Sequence, residues 1–160
     1  MAYAAAVFEK CVNAIRRGEL IHRTGDKDKE FHFQNWFKRR LDELGVAYRV
    51  GKRNSYPDFM IDLSSEGYEL KGLAHPGRWA TFDSNSQAPH GRHSGQDIYY
   101  VFGRYPRNPE SDSYPVIDLV LCHGSFLNTH HDYAHENKSF RGFGPFADIL
   151  VRDRKMYVAP

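Results

Sequence analysis

The sequence predicts an α/β fold, a single domain with a central β-sheet flanked by helices. Three observations point to it. Two segments near the start repeat their apolar residues at helical spacing. At least five short apolar segments bounded by turn-forming residues follow them. No repeat, low-complexity tract or linker divides the 160 residues. A chain of that length can bury roughly two-thirds of the surface its unfolded form exposes. Its apolar fraction of 41% and charged fraction of 26% are those of an ordinary globular protein rather than a disordered or fibrous one.

The first helix is expected over residues 4–17, with Ala4, Phe8, Cys11, Val12 and Ile15 along one side and Gly18 as its stop. A second is expected over about 29–44. Phe33, Trp36, Phe37, Leu41 and Leu44 line its inner face, Lys38, Arg39 and Asp42 lie away from it, Asp28 is its N-cap and Gly45 ends it. Strands are expected over 47–50, 57–63, 68–73, 98–105 and 116–122, with a final hairpin from 148–151 to 156–158. Ser64, Ser65, Glu66 and Gly67 read as the turn joining the second and third strands. Two polar stretches, roughly 75–96 and 123–146, exceed the usual length of a connection. Their aromatic and glycine content (Trp79, Phe82, Tyr133, Phe140, Phe143) marks them as functional loops.

No run is long and apolar enough to span a bilayer, and the first ten residues lack the basic start and apolar stretch of a secretory signal. Cys11 and Cys122 sit in apolar segments without metal-ligand spacing, which predicts buried free thiols in a reducing, cytoplasmic setting. Net charge is only +2, but residues 10–53 hold twelve Lys/Arg against six Asp/Glu. A basic lobe beside a carboxylate cluster suits an enzyme that holds a polyanion. The same charges also read as a solvated helical face.

The segment richest in chemistry runs from Ser55 to Gly72. Two antiparallel strands joined by a turn bring the head of the first beside the end of the second. Asp58 then approaches Glu69 and Lys71, which lie two apart and share a face. Convergent carboxylates repel one another unless a cation sits between them, and an all-oxygen set favours Mg²⁺, with Mn²⁺ able to substitute. Lys71 beside such an ion is suited to orient a water and to stabilise charge on a phosphate. Asp62 shares parity with Asp58 but lies deeper in its strand. A surface hairpin with an ordinary Glu–Lys pair is the plainer alternative.

Pro57-Asp58, ten residues, then Glu69-Leu70-Lys71 resembles the motif of the PD-(D/E)xK nuclease superfamily. The resemblance covers roughly residues 28–74 and the strand at 98–105. It implies a restriction-endonuclease-like core with a mixed β-sheet, a helical part over about 1–45, and the catalytic sheet and DNA-contacting loops over about 46–160. It also implies a further acid on the helix before the hairpin, for which Glu30 is the matching position. A first-turn carboxylate favoured by the helix dipole is the other reading of Glu30. A small chain with two long polar loops is most similar to a type II restriction endonuclease, acting on double-stranded DNA as a homodimer or with a second subunit. A structure-specific repair nuclease, a Holliday-junction resolvase and a non-cleaving DNA-binding module are the alternatives.

The loop after Lys71 carries Arg78, Ser84, Asn85, Ser86, Gln87, His90, Arg92 and His93, side chains suited to bases and phosphates. The second loop adds His130, His131, Lys138 and Arg141 as candidate groove contacts. His131 and His135 lie four apart, but no helical pattern supports a zinc site there.

Overall fold

Thirteen residues, Ala4–Arg16, coil into α1 and bury Ala4, Val7, Cys11 and Ala14. The helix matches its expected bounds, yet its inner face is turned about one residue from the expected one. Phe8 is 39% exposed, while the small side chains Ala4 and Ala14 face inward. Small residues let α1 approach its neighbours closely, which a phenyl ring at that contact would prevent. Gly18, at φ +72°, closes the helix by donating to the Ile15 carbonyl.

The computed structural model describes residues 2–25, 29–51, 56–76, 81–83, 91–127, 149–152 and 155–158, without the side chains of 29–30, 81–83, 149–152 and 155–158. After α1 come β1 (Leu20–His22), α2 (Lys29–Leu44), β2 (Tyr48–Val50), β3 (Phe59–Ile61) and β4 (Glu66–His75). Then follow β5 (Thr81–Asp83), β6 (Arg92–His93), β7 (Gln96–Pro106), β8 (Ser113–Pro115) and β9 (Asp118–His123). A short helix, α3 (Gly124–Leu127), and the hairpin β10 (Ile149–Arg152) and β11 (Lys155–Val158) complete the described chain.

Helix α2 meets its expectation closely. Phe33, Trp36, Phe37 and Leu41 are fully buried and Gly45, at φ +65°, ends it; the proposed cap Asp28 lies outside the described residues. Phe37 packs its ring against Phe59 and Tyr68, which fixes the helix over the sheet. The sheet has six strands in the order β2-β3-β4-β7-β6, with β9 also on β7. The long central pair β4–β7 is parallel and its other pairings are antiparallel, so the sheet is mixed and the fold is a single α/β domain. Two smaller sheets, β1-β8 and β10-β11-β5, accompany it.

Alternation along the central strands divides the sheet's faces. Tyr68 and Leu70 of β4, Val101 and Tyr105 of β7 and Phe59 of β3 join the helices in the core. Gly72 and Gly103 are register partners on this face. A Cβ at Gly103 would run into the Phe33 ring, and one at Gly72 into Tyr105. Glu69 and Lys71 belong to the opposite face.

The expected turn at 64–67 is displaced. Glu66 and Gly67 are already in β4, and the bend falls on Asp62–Ser65. Gly67 serves close packing, since a Cβ there would stand 2.6 Å from Pro57 and 2.9 Å from Ile98. Glu66 is buried because it accepts the Tyr3 amide at 2.8 Å, at the start of α1, and the Tyr68 hydroxyl at 2.9 Å. Burial, and then that carboxylate's charge, push the Tyr68 hydroxyl well above the usual tyrosine range. Both cysteines are free, Cys11 buried and Cys122 half-buried. Among the described residues no helix is long and apolar enough to cross a membrane.

Candidate active site

Strands β3 and β4 pair with Phe59 opposite Tyr68 and Met60 opposite Gly67. Extending that register one step places Asp58 opposite Glu69, just where the ladder ends. The Leu70 amide there has no strand partner on that side, and the Asp58 carboxylate takes the strand's place, Oδ2 accepting at 2.8 Å. Oδ1 accepts from Gln34 Nε2, on α2, at 3.0 Å. Helix and sheet thus hold the half-buried Asp58 from two directions.

Glu69 and Lys71 project together from β4, about as buried as charged groups become, at 9% and 8% exposure. Lys71 Nζ donates to Glu69 Oε1 at 2.5 Å. Glu69 Oε2 is buried with no hydrogen-bond partner among the described residues. An oxyanion left in that condition costs about 1–3 kcal/mol or more, so a fold selected for stability alone has reason to avoid it.

That oxygen is the test of whether these residues suit a metal ion. It is a hard, anionic donor on the residue that the extended register sets opposite Asp58, and its companion oxygen is bonded by an ammonium. Among the described residues no three His, Cys, Asp or Glu gather closely enough to hold an ion alone. Mg²⁺ does not need such a cage. It is commonly held by one or two carboxylates together with waters and substrate phosphates, and the Asp58–Glu69 pair fits that description.

The neighbouring strand continues the site. Register pairs Tyr100 with Glu69 and Phe102 with Lys71 across β4–β7. The Tyr100 hydroxyl lies 2.7 Å from that of Tyr56, whose ring meets His93 edge-on at 4.9 Å between centroids. His93, expected in a DNA-contacting loop, therefore stands in β6 at the wall of the site. Arg92 is exposed beside it. Tyr56, Tyr100 and Gln34 were not anticipated. A usable signal existed only for Gln34, which follows Glu30 by four residues on the same helix face.

Other expected positions fare differently. Glu30 lies in the first turn of α2, one turn before Gln34, and its side chain is outside the described residues. Arg78, Ser84, Asn85, Ser86, Gln87, His90, His130, His131, Lys138 and Arg141 lie outside them too, as does His135. Asp62 is exposed and paired with Arg49 at 2.7 Å, away from the site. The basic excess over residues 10–53 is partly spent inside the fold rather than offered to a partner. Arg40 is buried, pairs with Glu19 and Glu43 at 2.7 Å each and lies over the Trp36 ring. Arg17 pairs with Glu19, and Lys38 with Asp42.

The sequence matches no protein-family model and no curated protein.

Proposed function

We propose that this chain is a Mg²⁺-dependent endonuclease that hydrolyses phosphodiester bonds of double-stranded DNA, acting as a sequence-specific type II restriction endonuclease in the cytoplasm. The observation that carries this reading is the Asp58 carboxylate on the Leu70 amide, between Glu69 and Lys71, with one Glu69 oxygen buried and without a hydrogen-bond partner among the described residues. Asp58 and Glu69 are the residues that would hold the ion, with Mn²⁺ able to replace Mg²⁺ because both accept hard oxygen donors. Bound there, the ion supplies Lewis-acid polarisation of the phosphodiester. Lys71 holds its ammonium where charge grows on the phosphate and is able to donate to the attacking water. His93 and the exposed Arg92 stand at the rim, where phosphate contacts position the duplex. A duplex has two strands, and a homodimer or a second subunit would present one such centre to each.

The test is incubation of the purified chain with unmodified plasmid DNA and Mg²⁺, followed by sequencing of the ends. Discrete fragments that disappear on chelation and in Asp58→Asn support the proposal. Cleavage confined to branched or mismatched DNA removes the restriction role and leaves the nuclease. No cleavage of any DNA, with Mg²⁺ or Mn²⁺, removes both.

A further inference from the structure

We infer that Gln34 is a positioning residue, holding Asp58 in the orientation that an ion requires; the inference rests on the function proposed above. Asp58 stands one residue before the first ladder pair of β3 and β4, so that pairing does not fix its side chain. Its backbone is anchored through its carbonyl, which accepts the Gly51 amide at 2.6 Å. The carboxylate retains two side-chain torsions, and two donors of different origin constrain them. The Leu70 amide takes Oδ2 at 2.8 Å and the Gln34 amide takes Oδ1 at 3.0 Å. With both oxygens bonded on opposite sides, rotation of the carboxylate breaks at least one hydrogen bond.

The choice of donor matters. An ionised carboxylate only accepts, so the glutamine must present its nitrogen to it. An arginine or lysine would hold Asp58 as firmly but would also neutralise it, competing with a cation for the same charge. A neutral amide fixes the group without adding a positive charge that competes with the cation. Each carboxylate oxygen offers two lone-pair directions, and the Gln34 amide occupies one of them on Oδ1. Gln34 is itself well placed to act as a fixed point. It follows Phe33 directly and precedes Trp36 and Phe37, all fully buried, so packing sets the helix that carries it.

Partners that orient ligating carboxylates typically change metal affinity or activity by about 10–100-fold when removed. Binding of Mn²⁺ alone to the full chain, followed by calorimetry, reads this without any cleavage. Gln34→Met keeps the length of the side chain and removes the donor. Loss of Mn²⁺ affinity by about tenfold or more in Gln34→Met, alongside abolition in Asp58→Asn, supports the inference. Loss in Asp58→Asn with Gln34→Met unchanged overturns it while leaving the proposed function standing. Unchanged binding in both overturns the proposed site and the inference with it.

Gln34→Asn provides a second arm that does not depend on the first variant folding. It keeps the amide but shortens its reach to Asp58, so Mn²⁺ affinity should fall as it does in Gln34→Met. An affinity that stays at the wild-type value in Gln34→Asn means the amide merely fills space.

Discussion

Replacing the Glu69–Lys71 pair tests whether the site is kept for function at a cost to stability. The Lys71 ammonium and Glu69 carboxylate are in contact at 2.5 Å, their side chains 10% and 12% exposed. Two such charges attract by about 7 kcal/mol at an effective dielectric of about 20. Removing each from water costs several kcal/mol, so the pair adds little or nothing to folding. Breaking it is another matter. Lys71→Met removes the donor on Glu69 Oε1 from a buried carboxylate whose Oε2 has no partner among the described residues, and Glu69→Leu removes the buried carboxylate that the Lys71 ammonium bonds; each should lower unfolding free energy by about 3–5 kcal/mol. The double variant Glu69→Leu/Lys71→Met removes both charges and replaces them with side chains of similar volume. Its stability should return to within about 1 kcal/mol of wild type or exceed it, with cleavage abolished. Urea unfolding of the four proteins closes the cycle. Adding Mg²⁺ at ten times its Kd should stabilise the wild type by about 1.4 kcal/mol and leave the double variant unmoved. A double variant whose loss equals the sum of the single losses would refute the coupling, and with it the claim that these two residues form one unit.

Glu30→Gln should reduce cleavage less than Asp58→Asn does; full activity would remove Glu30 from the site. Arg92→Ala should weaken DNA binding about equally across sequences and lower the salt dependence of affinity by about one ion, whereas a change in sequence preference would make Arg92 a reader of bases. Burial pushes the Cys11 thiol up to about 12 and the Cys122 thiol up to about 11, from an ordinary value of 9.0. At about pH 8 the reactive thiolate is then scarcer by about a thousandfold and about a hundredfold respectively, so both should alkylate slowly in the native protein and rapidly in urea. Fast labelling of either in the folded chain would contradict its placement. Glu19 has its carboxyl held below the usual range, first by the Arg17 hydrogen bond. The stability it adds is therefore complete above its unfolded pKa and is lost as pH falls through the lower folded value. Glu19→Gln should flatten the acid side of the stability–pH curve, and an unchanged slope would remove this pairing as its source.

Long periodic segments were legible from residues alone. The face of α2 follows from Phe33, Trp36, Phe37 and Leu41 at helical spacing, and the central strands from their apolar runs. The face of α1 followed in part: Ala4 and Cys11 are buried and Ile15 packs against the core, but Val7 and Ala14 are buried while Phe8 is exposed. Phe8 is more hydrophobic than Ala14, and what turns the alanine inward is how closely α1 can approach its neighbours. Strands of two or three residues, such as β1, β6 and β8, hold no period to read. Gly67 resembles a turn former in isolation and is instead a packing glycine against Pro57 and Ile98. The clustered basic residues suggested a surface for a polyanion, but Arg40 is buried against two acids, Glu19 just before β1 and Glu43 one turn along α2.

For the candidate site, the order of residues was enough to bring three charges to one place. An antiparallel hairpin with Asp58 before one strand and Glu69 and Lys71 in the next has little freedom to do otherwise, since alternation and register are local consequences of backbone geometry. Tertiary structure alone decided what surrounds them. Gln34 reaches Asp58 across 24 positions of sequence, and Tyr100 stands beside Glu69 through a parallel pairing. Such contacts depend on how a helix and a distant strand dock, a property of the packed core as a whole and not of any segment within it.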